Sequence, residues 1–249
     1  MEKKKIVGIK LGSTTLVSAG KINSQLIGQV CRQVAKLVRD GWGVFLVTSG
    51  AIASDANQNR SKNLRSAVGQ IRIANEFRLA LEKFGIDGAQ MLLTDEQLID
   101  VSSQKTCLTK KIMQEAFLVD VVPIINANDV IDNEEIRALE QCADNDKLFK
   151  LMCLLVEADV AVIGFDQLGF LSLDGQVMHR IKACEIESIL QCAKGGSELG
   201  HGSDGMRTKV LTLVELARAR MQVCLMPARE DNFILRAVCE ERDFGTRFY

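Results

Sequence analysis

The chain has 249 residues with 31 basic against 32 acidic side chains, a balance that leaves no basic footprint for nucleic acid. With 47% hydrophobic residues it can bury a sizeable core, and no linker, repeat or low-complexity tract divides it. One α/β domain over residues 1–249 is therefore expected rather than two small ones. No apolar run reaches the ~20 residues of a membrane span. The N-terminus passes through Lys3-Lys-Lys5 straight into Ile6-Val-Gly-Ile9 without a cleavable signal pattern. The eight cysteines lack C-x-x-C spacing, and Cys31, Cys153 and Cys239 fall in apolar helical stretches. They read as reduced thiols in a cytoplasmic protein.

Strand and helix signals alternate along the chain. Lys5 to Leu11 reads as a strand, Gln25 to Asp40 as an amphipathic helix, and Val44 to Thr48 as a strand ending at Ser49-Gly50. A helix opens at Ala51, and a longer one runs from about Leu64 to Phe84. Gly88 to Leu93 is a strand, Thr94-Asp95 an N-cap signal, and Ser103 to Leu118 a helix. Val121 to Ile125 reads as a buried strand, followed by a polar loop and a helix from Lys147 to Ala158. Next come a strand at Val160 to Gly164, turns and short strands from Asp166 to Arg180, and a short helix from Ala183 to Ala193. Lys194 to Asp204 is glycine-rich, and Gly205 or Met206 opens a helix to about Ala219. Val223 to Met226 is a strand, Asp231 to Val238 a helix and Gly245 to Tyr249 an edge strand. This βαβ rhythm predicts a mainly parallel sheet with helices on both faces.

Four stretches carry chemistry. Lys10 lies near the end of an apolar strand beside Gly12, so its ammonium must either reach a partner or snorkel out. Ser49-Gly50 passes from strand to helix, where backbone N–H groups can hold an anion and a glycine lets it approach; the bland alternative is an N-cap serine. Asn126-Ala-Asn-Asp129 and Asp144-Asn-Asp146 gather amides and carboxylates where a strand ends and a helix begins, the edge at which open α/β sheets bind ligands. Those aspartates are either solvated, with Asp144 or Asp146 as an N-cap, or they meet cations. Gly200-His-Gly-Ser-Asp-Gly205 matches G-x-G-x-x-G, but it follows a loop-like stretch late in the chain, so it does not read as a dinucleotide fingerprint. It suits phosphate, with Lys209 one turn into the helix behind it. Neither His179 nor His201 neighbours a nucleophile in a known motif, and no metal-ligand cluster is visible. A carboxylate acceptor is ionised at neutral pH and needs no general base, only charge neutralisation and alignment.

Together these stretches resemble the glutamate 5-kinases of the amino acid kinase family over almost the whole chain. The resemblance is carried by Lys10-Leu-Gly-Ser13, Leu46-Val-Thr-Ser-Gly-Ala-Ile-Ala53, Ala67-Val-Gly-Gln70 and Gln90-Met-Leu-Leu-Thr94. It continues through Val122-Pro-Ile-Ile-Asn-Ala-Asn-Asp129, Glu135-Ile-Arg137, Asp144-Asn-Asp146, Gly205-Met-Arg-Thr-Lys209 and Phe244-Gly-Thr-Arg-Phe248. It implies a three-layer α/β/α sandwich and transfer of the γ-phosphoryl of ATP to the γ-carboxylate of glutamate, the opening step of proline biosynthesis. It implies that Lys10 and Lys209 neutralise the transferring group and that Asp146 orients them. Ser49, Asp129 and Asn145 match glutamate-binding positions, with Gly50 beside them and Asn126 and Asn128 in the same loop. Gly12, Phe165, Asp166 and the run Ser203, Asp204, Gly205, Met206, Arg207, Thr208 and Lys209 match nucleotide-binding positions.

The implied cofactors are ATP and Mg²⁺, with the metal ligands left open. The implied partners are a proline feedback inhibitor, a downstream glutamyl phosphate reductase and further copies of the chain, with no nucleic acid and no membrane. The chain departs from the family in having Phe165 where a threonine is usual and Asp204 within the glycine loop. Ser54-Asp55 stands where a glycine usually follows Ser-Gly-Ala-Ile-Ala, and the C-terminal RNA-binding-like module that many members carry is expected to be absent. Another small acid or phosphate as acceptor, and a regulatory homologue without turnover, are the alternatives.

Overall fold

The structure is a computed structural model that describes residues 3–131, 144–172, 174–185, 203–239, 241 and 243–249, with side chains at all of these except 144, 183 and 203–209. In chain order the strands are β1 (Ile6–Leu11), β2 (Val17–Ser18), β3 (Lys21–Ile22), β4 (Gly43–Thr48), β5 (Gly88–Leu93), β6 (Val122–Ala127), β7 (Val160–Phe165), β8 (Arg180–Ile181), β9 (Gln222–Pro227) and β10 (Thr246–Phe248). The α-helices are α1 (Ser13–Leu16), α2 (Ser24–Arg39), α3 (Ala51–Ser54), α4 (Lys62–Glu82), α5 (Glu96–Ile99), α6 (Gln104–Leu118), α7 (Asp144–Val156), α8 (Ser203–Arg218) and α9 (Phe233–Val238).

Eight strands form one sheet in the order β5-β6-β4-β1-β7-β9-β10-β8. All neighbours run parallel except β9 and β10. The central strands β1, β4, β6 and β7 are buried along their whole length, as strands covered on both faces must be. Alternation divides their side chains between two cores. Val7, Ile9 and Leu11 pack with α2, α4 and α9, while Ile6, Phe45 and Val47 pack with α6, α7 and α8. The expected three-layer α/β/α sandwich is thus the observed one. Among the described residues no helix is long and apolar enough to cross a membrane.

Crossover helices run back against the strands, so their N-termini collect at the edge where β1, β4, β6 and β7 end. Their far ends stop abruptly. Gly41 and Gly85 take positive φ after α2 and α4; Asp120, Glu157 and Arg220 do so after α6, α7 and α8 despite their side chains. The start of α9 is capped from another helix. Asn232 makes no side-chain cap, and Gln33 of α2 accepts from the N–H groups of Ile234 and Leu235 at 2.9 and 3.4 Å.

Several expectations need correction. The C-terminal strand is not an edge: β10 lies between β9 and the two-residue β8, and Arg247 and Tyr249 donate to His179 and Ile181 on that side. A two-residue strand leaves no periodicity in the sequence. The β2–β3 hairpin was also invisible, because its turn uses Ala19 and Gly20, both at positive φ, rather than an Asn-Gly pair. The helix expected over 183–193 is described only as a 3₁₀ turn at Ala183–Glu185; the remainder lies outside the described residues. Cys239 is exposed just past α9, whereas Cys31 and Cys153 are buried in helices. None of the six described cysteines forms a disulfide among the described residues, and burial pushes the Cys31 thiol up to about 12.

Candidate active site

Lys10 stands next to last in β1, on the face that meets α7. Only 3% of it is exposed, so it does not snorkel to solvent. Its Nζ lies 2.5 Å from Oδ1 of Asp146, which is wholly buried. Asp146 is the third residue of α7, so it is neither a solvated loop carboxylate nor an N-cap. Removing one partner of such a pair strands a charge in the interior, which typically costs about 3–5 kcal/mol.

A cleft of ≈ 530 Å³ opens beside this pair at the ends of β1, β4 and β7. Lys10, Asp146, Gly12 and Phe165 line it, and so do Ser49, Gly50, Asp129 and Asn145. Residues far apart in sequence are thus brought to one cavity. Gly50 is left-handed, with φ 92°, and a Cβ there would press on Val17 and Ser13 at 3.0 and 3.3 Å. The helix it introduces, α3, is a single turn. Asn145 ties two walls together: its amide donates to Ser49 Oγ at 3.3 Å, and its Oδ1 accepts from Ala127 N at 3.3 Å. Asp129 accepts a bond from Ser66 Oγ at 2.9 Å.

Other predicted residues stand elsewhere. Asn126 is buried inside β6 with its Oδ1 lacking a hydrogen-bond partner among the described residues, and it does not line the cleft. Asn128 is held through its backbone N–H to Leu93 O at 2.9 Å. Phe165 is 8% exposed, packs among the side chains beneath α6, α7 and α8, and borders the cleft. Asp166 does not line the cleft; its carboxylate meets Arg229 Nε at 3.2 Å. Asp95, expected as an N-cap, makes no cap bond and pairs with Lys147 at 3.3 Å.

The backbone of Ser203, Asp204, Gly205, Met206, Arg207, Thr208 and Lys209 belongs to α8, which starts at Ser203 rather than at Gly205 or Met206. The side chains of these residues lie outside the described ones, so the expected meeting of Lys10 and Lys209 falls there too. The next residue, Val210, is fully buried in the layer that also contains Leu148 and Met152 of α7. The backbone therefore brings the start of α8 to the same face of the sheet as Lys10.

Sequence reasoning gave no role to α4. Asn63, Ser66 and Gln70 form one stripe, at i, i+3 and i+7, and all three bond to the segment that follows β6 or ends it. Gly69 passes so close to α3 that a Cβ would lie 1.8 Å from Ala51 O. The spacing of the stripe was readable, but polar residues at that spacing usually mark a solvated face.

A sequence model of the amino acid kinase family matches residues 5–226. A glutamate 5-kinase of Polaromonas naphthalenivorans (strain CJ2) is 33% identical over 248 residues, which cover 92% of the chain and 62% of that protein. One of Haemophilus influenzae (strain PittGG) is 29% identical over 263 residues, covering 100% and 69%. The chain thus spans between three fifths and seven tenths of these relatives. Carbamate kinase from Giardia lamblia bound to AMP-PNP superposes with a TM-score of 0.67 at 17% identity, covering 100% of this chain and 99% of that one. UMP kinase from Ureaplasma parvum gives 0.64 at 12%, with 99% of each chain covered. At such identities the structural likeness is one of fold. Because the family match spans nearly all of the sheet that builds the cleft, this chain belongs to the amino acid kinase family.

Proposed function

We propose that the chain transfers the γ-phosphoryl group of ATP to the γ-carboxylate of glutamate, giving glutamyl 5-phosphate. The observation that carries this reading is the buried Lys10–Asp146 pair on the wall of a polar cleft. Relatives named glutamate 5-kinase support the choice of acceptor. A carboxylate attacks phosphorus without losing a proton, so the site must neutralise charge and align the reactants. Lys10 would face the phosphoryl oxygens, and Asp146 would hold its ammonium in place. Ser49 and Asn145 would bond the acceptor's oxygens, and the Asp129 carboxylate suits an amino acid's ammonium. Gly12 and Phe165 would border the nucleotide, with Lys209 as a second cation from the start of α8. Mg²⁺ would be held chiefly by the nucleotide's phosphates, as is usual for a cation that keeps most of its waters. Among the described residues no three His, Cys, Asp or Glu side chains gather as a separate metal site. Cytoplasmic location, proline inhibition, a downstream reductase and self-association belong to the same reading through the family resemblance.

The test is ADP release with ATP, Mg²⁺ and a panel of acids, with hydroxylamine to trap any acyl phosphate. Glutamate-dependent hydroxamate is expected. Lys10→Met should lower kcat by about 10²–10³-fold, the usual loss for one electrostatic donor, with the circular dichroism spectrum retained. Turnover within tenfold of wild type in that variant would exclude the assignment. Response to another acid alone would move the acceptor, and nucleotide binding without turnover would leave a regulatory homologue.

A further inference from the structure

The acceptor end of the cleft is built from two short walls that lean on other elements. One is α3 with the Ser49–Gly50 turn before it. A helix of four residues, Ala51–Ser54, is far below the length at which a helix is stable alone, and from within the segment Ser54 Oγ meets Ala51 O at 2.8 Å and Asp55 N meets Ile52 O at 3.3 Å. The other is the segment Ala127–Val130 leaving β6, which carries Asp129. Beside the bonds with Asn145 and Leu93, both walls are held by the first half of α4.

Arg65 spans the end of α3. Its Nη2 donates to Ile52 O and its Nε to Asp55 O, each at 3.0 Å. Arg72 donates to Ser54 O at 3.0 Å, and Arg60 binds the Asp55 carboxylate at 2.8 Å. Gly69 allows α3 to lie directly on the helix. One residue from Arg65, and turned toward the other wall, Ser66 donates to Asp129 Oδ2 at 2.9 Å while fully buried. Asn63 donates to the carbonyls of Asp129 and Val130 at 3.0 and 3.1 Å, and Gln70 to Ala127 O at 2.8 Å. None of Asn63, Arg65, Ser66 or Gln70 lines the cleft. A regular helix fixes the spacing of its side chains, so α4, together with the Asn145 bridge from Ser49 Oγ to Ala127 N, sets the gap between the Ser49 wall and the Asp129 wall.

We propose that α4 is the gauge of the acceptor site. Arg65 and Ser66 are positioning residues that set the separation of the two walls and hence the length of the acid accepted. The proposal rests on the phosphotransferase reading above. The test uses the full chain with Arg65→Gln, Arg65→Lys and Ser66→Ala, assayed with three amino dicarboxylic acids that differ by one methylene each. Arg65→Gln and Ser66→Ala should raise KM for the preferred acid at least tenfold and reduce its advantage over the shorter and longer acids. KM for ATP should stay within twofold. Arg65→Lys should recover only part of the loss, because one ammonium does not reproduce the fork that meets both carbonyls. Amide exchange, read on the ligand-free proteins, should quicken over residues 50–55 in Arg65→Gln and over 128–131 in Ser66→Ala. KM values that move together for both substrates, an unchanged preference among the acids, or unchanged exchange at both segments overturns the proposal. A wild-type protein that phosphorylates no acid defeats the phosphotransferase reading, and the gauge role with it. A wild type that turns over while its variants keep their preference defeats the gauge alone.

Discussion

Helices α2 and α4 lie side by side on one face of the sheet and are held there by different means. α2 buries Leu26, Ile27, Val30, Val34, Leu37 and Val38 along a single stripe, and most of its polar side chains point away from the core. α4 does the same only in its second half, through Ile73, Phe77 and Leu81. Its first half is bound by hydrogen bonds from side chains to the carbonyls of α3 and of the segment after β6. Apolar burial is strong and carries no direction, whereas a hydrogen bond fixes a distance and an angle. The pair therefore separates two tasks: α2 keeps the chain folded, and the start of α4 keeps the cleft in shape.

That division can be broken most forcefully at Ile27. Ile27→Ala opens a void in the α2 core and should cost about 2–5 kcal/mol in a denaturant melt, with KM for the acceptor unchanged. A raised KM would show that α2 shapes the site as well. Gly69→Ala should cost less, about 1–3 kcal/mol from overpacking against Ala51 O, and yet raise acceptor KM by displacing α3. Stability loss without a kinetic effect there would erase the distinction. The mildest probe is acid. The Arg60 guanidinium holds the Asp55 carboxyl below its ordinary value of 3.8. A depressed folded-state pKa stabilises above the unfolded value, and that contribution disappears as pH falls through the folded value. Amide protection over residues 50–55, relative to the unstructured rate at each pH, should therefore fall below pH 3.8 in wild type, and Asp55→Asn should show no such step.

The sequence made the centre of the sheet easy to read and its margin hard. β1, β4, β6 and β7 are mostly apolar runs, interrupted by Lys10 and Asn126, and α2 shows its period plainly. β8 has two residues, so nothing placed β10 inside the sheet. In the site, the glycine turn at Ser49-Gly50 and the carboxylates near Asp146 stood out by residue type. Residue type alone did not say which aspartate meets Lys10, because that pairing depends on how α7 lies across β1; the family resemblance pointed to Asp146. The role of α4 was hidden for another reason: Asn63, Arg65 and Ser66 are polar, and polarity on a helix reads as contact with water until the partner segments are in place.

The pairing of Lys10 with Asp146 also bears on the order in which the protein can be made. Lys10 leaves the ribosome early, in a strand destined for the middle of the sheet, and its counter-charge is translated only after β4, β5 and β6. Until then, sealing β1 between two layers would bury that ammonium without the Asp146 carboxylate. A nascent chain that ends before α7 therefore holds the Lys10 ammonium in β1 before the Asp146 carboxylate has been made.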